Sequence, residues 1–106
     1  MYIRMTFFKV KSSQMDELRN VYVNEVIPAH KEHKGIRFVH LMESLESKND
    51  GISVTAWDTK GDFEAYEKSG EYQKIVAKFR ALLDGEPTLN AYEVTASSDP
   101  IILRIF

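Results

Sequence analysis

The chain has no cysteine, which excludes disulfide frameworks and thiolate metal sites and fits a reducing compartment; the cytoplasm is the expected location. It also lacks an excess of either charge. Fourteen basic against sixteen acidic residues leave a net charge of −2, without the basic face that a nucleic-acid partner needs. Long apolar runs are missing too. The opening MYIRMTFFKV is interrupted by Arg4 and Lys9 and has no small-residue cleavage site, so neither a signal peptide nor a membrane span is expected. No glycine-rich nucleotide loop occurs, and no histidine follows His40. What the chain has is apolar surface: 43% of its 106 residues are hydrophobic and 11% aromatic, ample for one domain of this length. The expected division is a domain over residues 1–96 and a tail over 97–106.

Hydrophobic periodicity gives the order of elements. Tyr2 to Val10 are β-branched and aromatic and read as a strand. Ser13 is placed to cap a helix in which Met15, Leu18, Val21, Tyr22 and Val26 recur at helical spacing. Pro28 should kink or shorten that helix, and Gly35 should end it. Ile36 to Leu45 and Ile52 to Trp57 read as a hairpin joined by the polar turn Ser47-Lys48-Asn49-Asp50-Gly51, a short Asp-Gly connection. Thr59 caps a helical region from Asp62 that is interrupted at Ser69-Gly70. From Glu71, the residues Tyr72, Ile75, Val76, Phe79, Leu82 and Leu83 form one apolar helical stripe. Thr88 to Thr95 return as a fourth strand. The order β-α-β-β-α-β predicts an α+β, ferredoxin-like fold: a four-stranded antiparallel sheet with its helices on one face.

Both faces of the strands are apolar. In the second strand Ile36, Phe38, His40 and Met42 alternate with Arg37, Val39, Leu41 and Leu45; in the first, Ile3, Met5 and Phe7 lie opposite Tyr2, Phe8 and Val10. Two helices cover one side of such a sheet, so the other side is expected to face the sheet of a second copy. The apolar tail Ile101-Ile102-Leu103-Arg104-Ile105-Phe106 is expected to reach onto that partner as an extra strand or clasp.

Together, the order of elements, Gly35 before the second strand, and the stretch from Ala56-Trp57-Asp58-Thr59 through Ser69-Gly70-Glu71-Tyr72 resemble the antibiotic biosynthesis monooxygenase family of dimeric α/β barrels. The resemblance covers residues 1–95 and is most specific at Trp57 and the segment after it. It implies a homodimer with facing sheets and a pocket between each sheet and its helices that takes an aromatic polyketide, a quinol or haem. Two histidines frequent in the family are replaced here by Tyr66 and Glu71. The position of the axial histidine in the haem-degrading branch aligns with Val76, which cannot ligate iron, so haem degradation is not expected.

Cofactor-free oxygenation needs a dry pocket, a base near a phenolic or enolic proton, and donors for the developing oxyanion. His40, the one histidine on a strand, is the candidate base; its alternative is an interface histidine on the dimer-facing side. Trp57 offers a flat wall and an indole donor, or is core. Tyr22, Tyr66 and Tyr72 are candidate substrate donors on apolar helical stripes. Arg4 and Arg37 are cations that could hold an anionic quinol or carboxylate, or be ion-paired. His30 and His33 beside Lys31 and Lys34 read as cations at a helix C-terminus, too few with Glu32 for a metal. No metal and no cofactor are expected. The leading reading is a monooxygenase acting on an aromatic quinol, anthrone or polyketide-like molecule. The alternative is a non-catalytic dimeric barrel that binds a small apolar ligand or serves as an interaction module.

Overall fold

A computed structural model describes residues 1–98. The expected α+β architecture is present. Strands β1 (Tyr2–Lys9), β2 (Ile36–Glu43), β3 (Asp50–Trp57) and β4 (Thr88–Glu93) form one antiparallel sheet in the order β2-β3-β1-β4. Helices α1 (Met15–Val21) and α2 (Ile27–Lys31) precede β2, and α3 (Lys60–Ser69) and α4 (Glu71–Ala77) follow β3. The two later helices meet at Gly70, as the Ser69-Gly70 interruption predicts. The Thr59 hydroxyl accepts the Asp62 N–H at 3.1 Å, and that cap starts α3 two residues earlier than expected.

Between α1 and α2 the chain makes a π turn, Tyr22–Val26, closed by the Ile27 N–H to the Tyr22 carbonyl. Its cause is visible in the buried residues. Leu18, Tyr22, Val26 and His30 fall at every fourth position, and all are 3% exposed or less. In an α-helix of about 3.6 residues per turn each such step overshoots by about 40°, so three steps would carry His30 off the core face. The wider turn takes up that drift, and Pro28, which lacks an N–H, sits just after it in the first turn of α2. Pro28 therefore neither breaks the helix nor shortens it.

Four local expectations are corrected. Ser13 caps nothing: it takes a φ of 65° in a turn closed by the Gln14 N–H to the Lys11 carbonyl, and Gln14 precedes α1 without a side-chain cap. The hairpin connection spans residues 44–49, with Asn49 in the left-handed position at φ 75°. Asp50 and Gly51 are already strand, and Gly51 is there because the Phe8 ring crosses it; an added Cβ would lie 2.7 Å from that ring. The last helix stops at Ala77, followed by a 3-10 turn, Arg80–Leu82. The Lys11 N–H to the Leu82 carbonyl and the Asp84 N–H to the Lys9 carbonyl tie this segment to the end of β1, so Phe79 and Leu83 are buried without being helical. Strand β4 ends at Glu93, two residues before Thr95.

The sheet separates two apolar clusters. On the helix side Phe8, Val10, Leu18, Tyr22, Val26, Val39, Trp57, Tyr66, Ile75, Val76, Phe79 and Leu83 form the main core. On the other face Ile3, Val54 and Ala56 pack with Met5, Phe38, Ile52 and Val94. A bulge at Arg37 shifts the β2 register, which puts Ile36 with the main core and Phe38 on the opposite face, not on one face together. The expected apolar clasp falls mostly on residues 99–106, outside the described residues.

Candidate active site

Between the sheet and α2, α3 and α4 lies a cavity of about 20 Å³, room for water and little more. Arg4 and Thr6 of β1, Ser53 and Thr55 of β3, His30 of α2, Tyr66 of α3 and Tyr72 of α4 line it, with Ile75, Val76 and Phe79 as an apolar wall.

His30 is its central polar group, and the reading of His30 as a helix-end cation is corrected. The imidazole is 3% exposed. Nδ1 lies 2.9 Å from the Val26 carbonyl and Nε2 lies 3.1 Å from the Tyr66 hydroxyl. A carbonyl only accepts, so Nδ1 carries the proton; Nε2 of the neutral ring then accepts from Tyr66. Burial pushes the imidazole below its ordinary value near 6.5, helped by His33 and opposed by the Val26 hydrogen bond and Glu71. Burial likewise raises the Tyr66 phenol, with the nearby Glu67 and Glu71 carboxylates adding to it. The pair is neutral at pH 7. The signal for His30 was the four-residue spacing from Val26; the flanking lysines and His33 obscured it.

Trp57 stands behind this pair. It is wholly buried, its ring centroid is 4.6 Å from that of Tyr66, and its indole N–H donates to Thr55 Oγ1 at 3.0 Å. His33 meets the Tyr66 ring edge-on at 5.0 Å. Tyr22 donates to the His40 carbonyl at 2.9 Å and lies 2.8 Å from Ser53 Oγ, which must then be the donor to it. Tyr72 lines the cavity, and its hydroxyl is buried with no hydrogen-bond partner among the described residues. Burial raises its phenol as well. Arg4 also lines the cavity, but its guanidinium is held by Glu67, with Nε at 2.8 Å, and lies over the Phe63 ring.

The structure thus brings Arg4, Tyr66 and Tyr72 together, with Trp57 and Tyr22 just behind. Arg37 and His40 lie elsewhere. Arg37 pairs with Asp58 at 2.7 Å. His40 is exposed on the opposite sheet face, where its ring stacks on Phe38 at 4.4 Å. Only its carbonyl connects it to the cavity side, through Tyr22.

The depressed His30 value gives a pH prediction with a definite sign. Below about 6.5 the unfolded chain gains a proton at this histidine that the native site resists, so native stability falls as pH falls. His30→Gln should flatten that part of the stability curve in urea titrations from about pH 7 to 5. An unchanged slope would mean that His30 takes up its proton as readily in the native state as in the unfolded chain.

A ferredoxin-like sheet backed by split helices, with a tyrosine- and histidine-lined cavity between the layers, defines a small α+β domain built around an enclosed site. The family profile of the antibiotic biosynthesis monooxygenases matches residues 1–78, and the chain belongs to that family. SnoaB, a cofactor-independent oxygenase from Streptomyces nogalater solved as a point mutant, is similar at a TM-score of 0.76 and 12% identity, over 93% of this chain and 97% of that one. A Deinococcus radiodurans protein assigned to the antibiotic biosynthesis monooxygenases gives 0.75 and 16% identity, over 95% and 99%. The Mycobacterium tuberculosis haem degrader MhuD, with two haems bound, gives 0.74 and 18%, over 93% and 100%. No curated protein matches the chain.

Neither Val76 nor His30 offers a free imidazole nitrogen to a haem iron. Val76 is aliphatic and 1% exposed, and both nitrogens of His30 are engaged within the protein. Among the described residues no group of three or more His, Cys, Asp or Glu could hold a metal ion, and no helix is long and apolar enough to cross a membrane.

Proposed function

We propose that this chain is a monooxygenase that acts, without a cofactor, on an aromatic quinol or anthrone-like molecule held between the sheet and α3–α4. The observation that carries this reading is the Tyr72 hydroxyl, buried with no hydrogen-bond partner among the described residues, on the cavity that the His30–Tyr66 pair also lines. A buried hydroxyl without a partner costs about 1–3 kcal/mol, and a phenolic or keto oxygen in the cavity would relieve it. Removal of a proton from an anthrone leaves an electron-rich enolate. The enolate passes an electron to dioxygen, the two radicals combine at carbon, and the peroxide loses water. Anthrone and dioxygen become anthraquinone and water, with all atoms accounted for. Tyr72 donates to the developing oxyanion.

A polycyclic substrate needs more than the present cavity volume, so α4 and Tyr72 swing away from the sheet on entry. A side chain added at Gly70, the joint between α3 and α4, would meet nothing within 4 Å of its Cβ. The replacement of both family histidines, by Tyr66 and Glu71, favours a second reading, a non-catalytic dimeric barrel that binds a small apolar ligand or serves as an interaction module. Oxygen uptake with a panel of quinols and anthrones under air separates the two. Uptake above the buffer rate supports the enzyme, and none for any member refutes it for this substrate class.

The dimer is part of the proposal. The apolar cluster of Ile3, Val54 and Ala56, flanked by Phe38, supports a second copy packed on the open sheet face, and the clasp by the tail is proposed with it. Sedimentation should give a particle of two chains; one of 12.2 kDa at micromolar concentration contradicts it.

A further inference from the structure

We infer that His30 and Tyr66 act as one proton-accepting unit for the substrate, with Tyr66 as the contact atom and His30 as the final base. This deepens the proposed reading and rests on it. Tyr66 lines the cavity, and its hydroxyl proton already points at His30 Nε2, 3.1 Å away. The Val26 carbonyl, 2.9 Å from Nδ1, fixes the tautomer that leaves Nε2 free to accept. A substrate hydroxyl or acidic C–H placed against Tyr66 Oη gives its proton to that oxygen as the tyrosine proton moves to His30 Nε2. The products are a substrate enolate or phenolate, a neutral Tyr66 and an imidazolium. One neutral pair becomes one anion and one cation, and no electron is transferred.

Tyr66 never has to exist as a tyrosinate, which its burial disfavours. The imidazolium is held by the Val26 carbonyl and faces the new anion across the tyrosine. The charged and titratable groups around the pair are Tyr22 in the π turn, His33 beyond α2, Glu67 on α3, Glu71 and Tyr72 on α4, and Arg4 on β1; Arg4 is paired with Glu67. A ring that is neutral at pH 7 is free to accept a proton there. His40, on the opposite sheet face, is not required.

The test separates proton transfer from oxygenation by using anthrone under argon, where the enolate is read by its long-wavelength absorption. Wild-type protein should form the enolate on mixing. Tyr66→Phe keeps the ring against Trp57 and His33 but removes the relay. His30→Gln keeps a donor for Val26 and an acceptor for Tyr66 but removes the basicity. Each should slow enolate formation about 100-fold or more, in the range typical of a lost general base, while melting cooperatively and still binding anthrone. Either variant forming the enolate at the wild-type rate overturns the inference. If both variants fail to fold, the wild-type rate decides: burial holds His30 below its ordinary value, so the rate should fall in acid, below 6.5, and a rate that rises with acidification overturns the inference. Enolate formation in wild type without oxygen uptake in air would sustain this inference and remove the monooxygenase reading. Oxygen uptake that survives in both variants would do the reverse, and neither signal in wild type would remove both.

Discussion

Trp57→Ala should lose about 3–5 kcal/mol of folding stability, the largest loss expected from any single truncation in this core. A small domain has only about 5–15 kcal/mol in total, so the variant should unfold at far lower urea or not accumulate folded. The size of the effect follows from position. Trp57 ends β3, pairs in register with both Tyr2 and Ile36, and is wholly buried among the helix-side core. Its removal opens a cavity beneath Tyr66 and leaves the buried Thr55 hydroxyl without its 3.0 Å donor. Trp57→Phe keeps most of the wall and forfeits the donor, so it should cost about 1–3 kcal/mol. A Trp57→Ala protein within about 1 kcal/mol of wild type would show that the Tyr66 wall is held from elsewhere.

Gly35→Ala should cost about 2–4 kcal/mol, combining left-handed backbone strain with overpacking. Gly35 sits at φ 82° between α2 and β2, and a Cβ there would fall 2.2 Å from Asp62 Oδ2 and 2.6 Å from Asp62 Cβ. Its carbonyl accepts the Asp58 N–H at 2.7 Å, which locks the start of β2 to the corner between β3 and α3. The substitution therefore strains the joint that sets α2 and α3 against each other, and with it the His30–Tyr66 hydrogen bond. Urea unfolding measures the loss; a change below about 0.5 kcal/mol would mean that the corner relaxes without strain.

Much of the fold was legible because its signals are local. The strand runs, the Thr59 cap and the Ser69-Gly70 break each specify their own element, and the element order then leaves few topologies. Where reading failed, a longer-range contact had won. The apolar stripe at Phe79, Leu82 and Leu83 has helical spacing, yet those residues follow the end of β1 because backbone pairing to Lys9 and Lys11 replaces the last helical turn. Asp50-Gly51 has turn composition, but the Phe8 ring requires glycine within the strand. The site was legible in part. Arg4, Tyr66 and Tyr72 do converge, since the β1 alternation and the α3 and α4 stripes fix their faces. His30 was hidden by its polar neighbours: its inward direction depends on a π turn, which only the spacing of Leu18, Tyr22, Val26 and His30 discloses.

In the proposed reaction, dioxygen oxygenates an aromatic substrate in the cavity between sheet and helices. Incubation of the 106-residue chain with anthrone under isotopically labelled dioxygen, followed by mass spectrometry of the product, tests it most directly. The expected product is anthraquinone carrying one labelled oxygen, formed faster than in buffer and suppressed by Tyr72→Phe, which removes the proposed oxyanion donor but keeps the ring. Product formed no faster than in protein-free buffer would contradict the account.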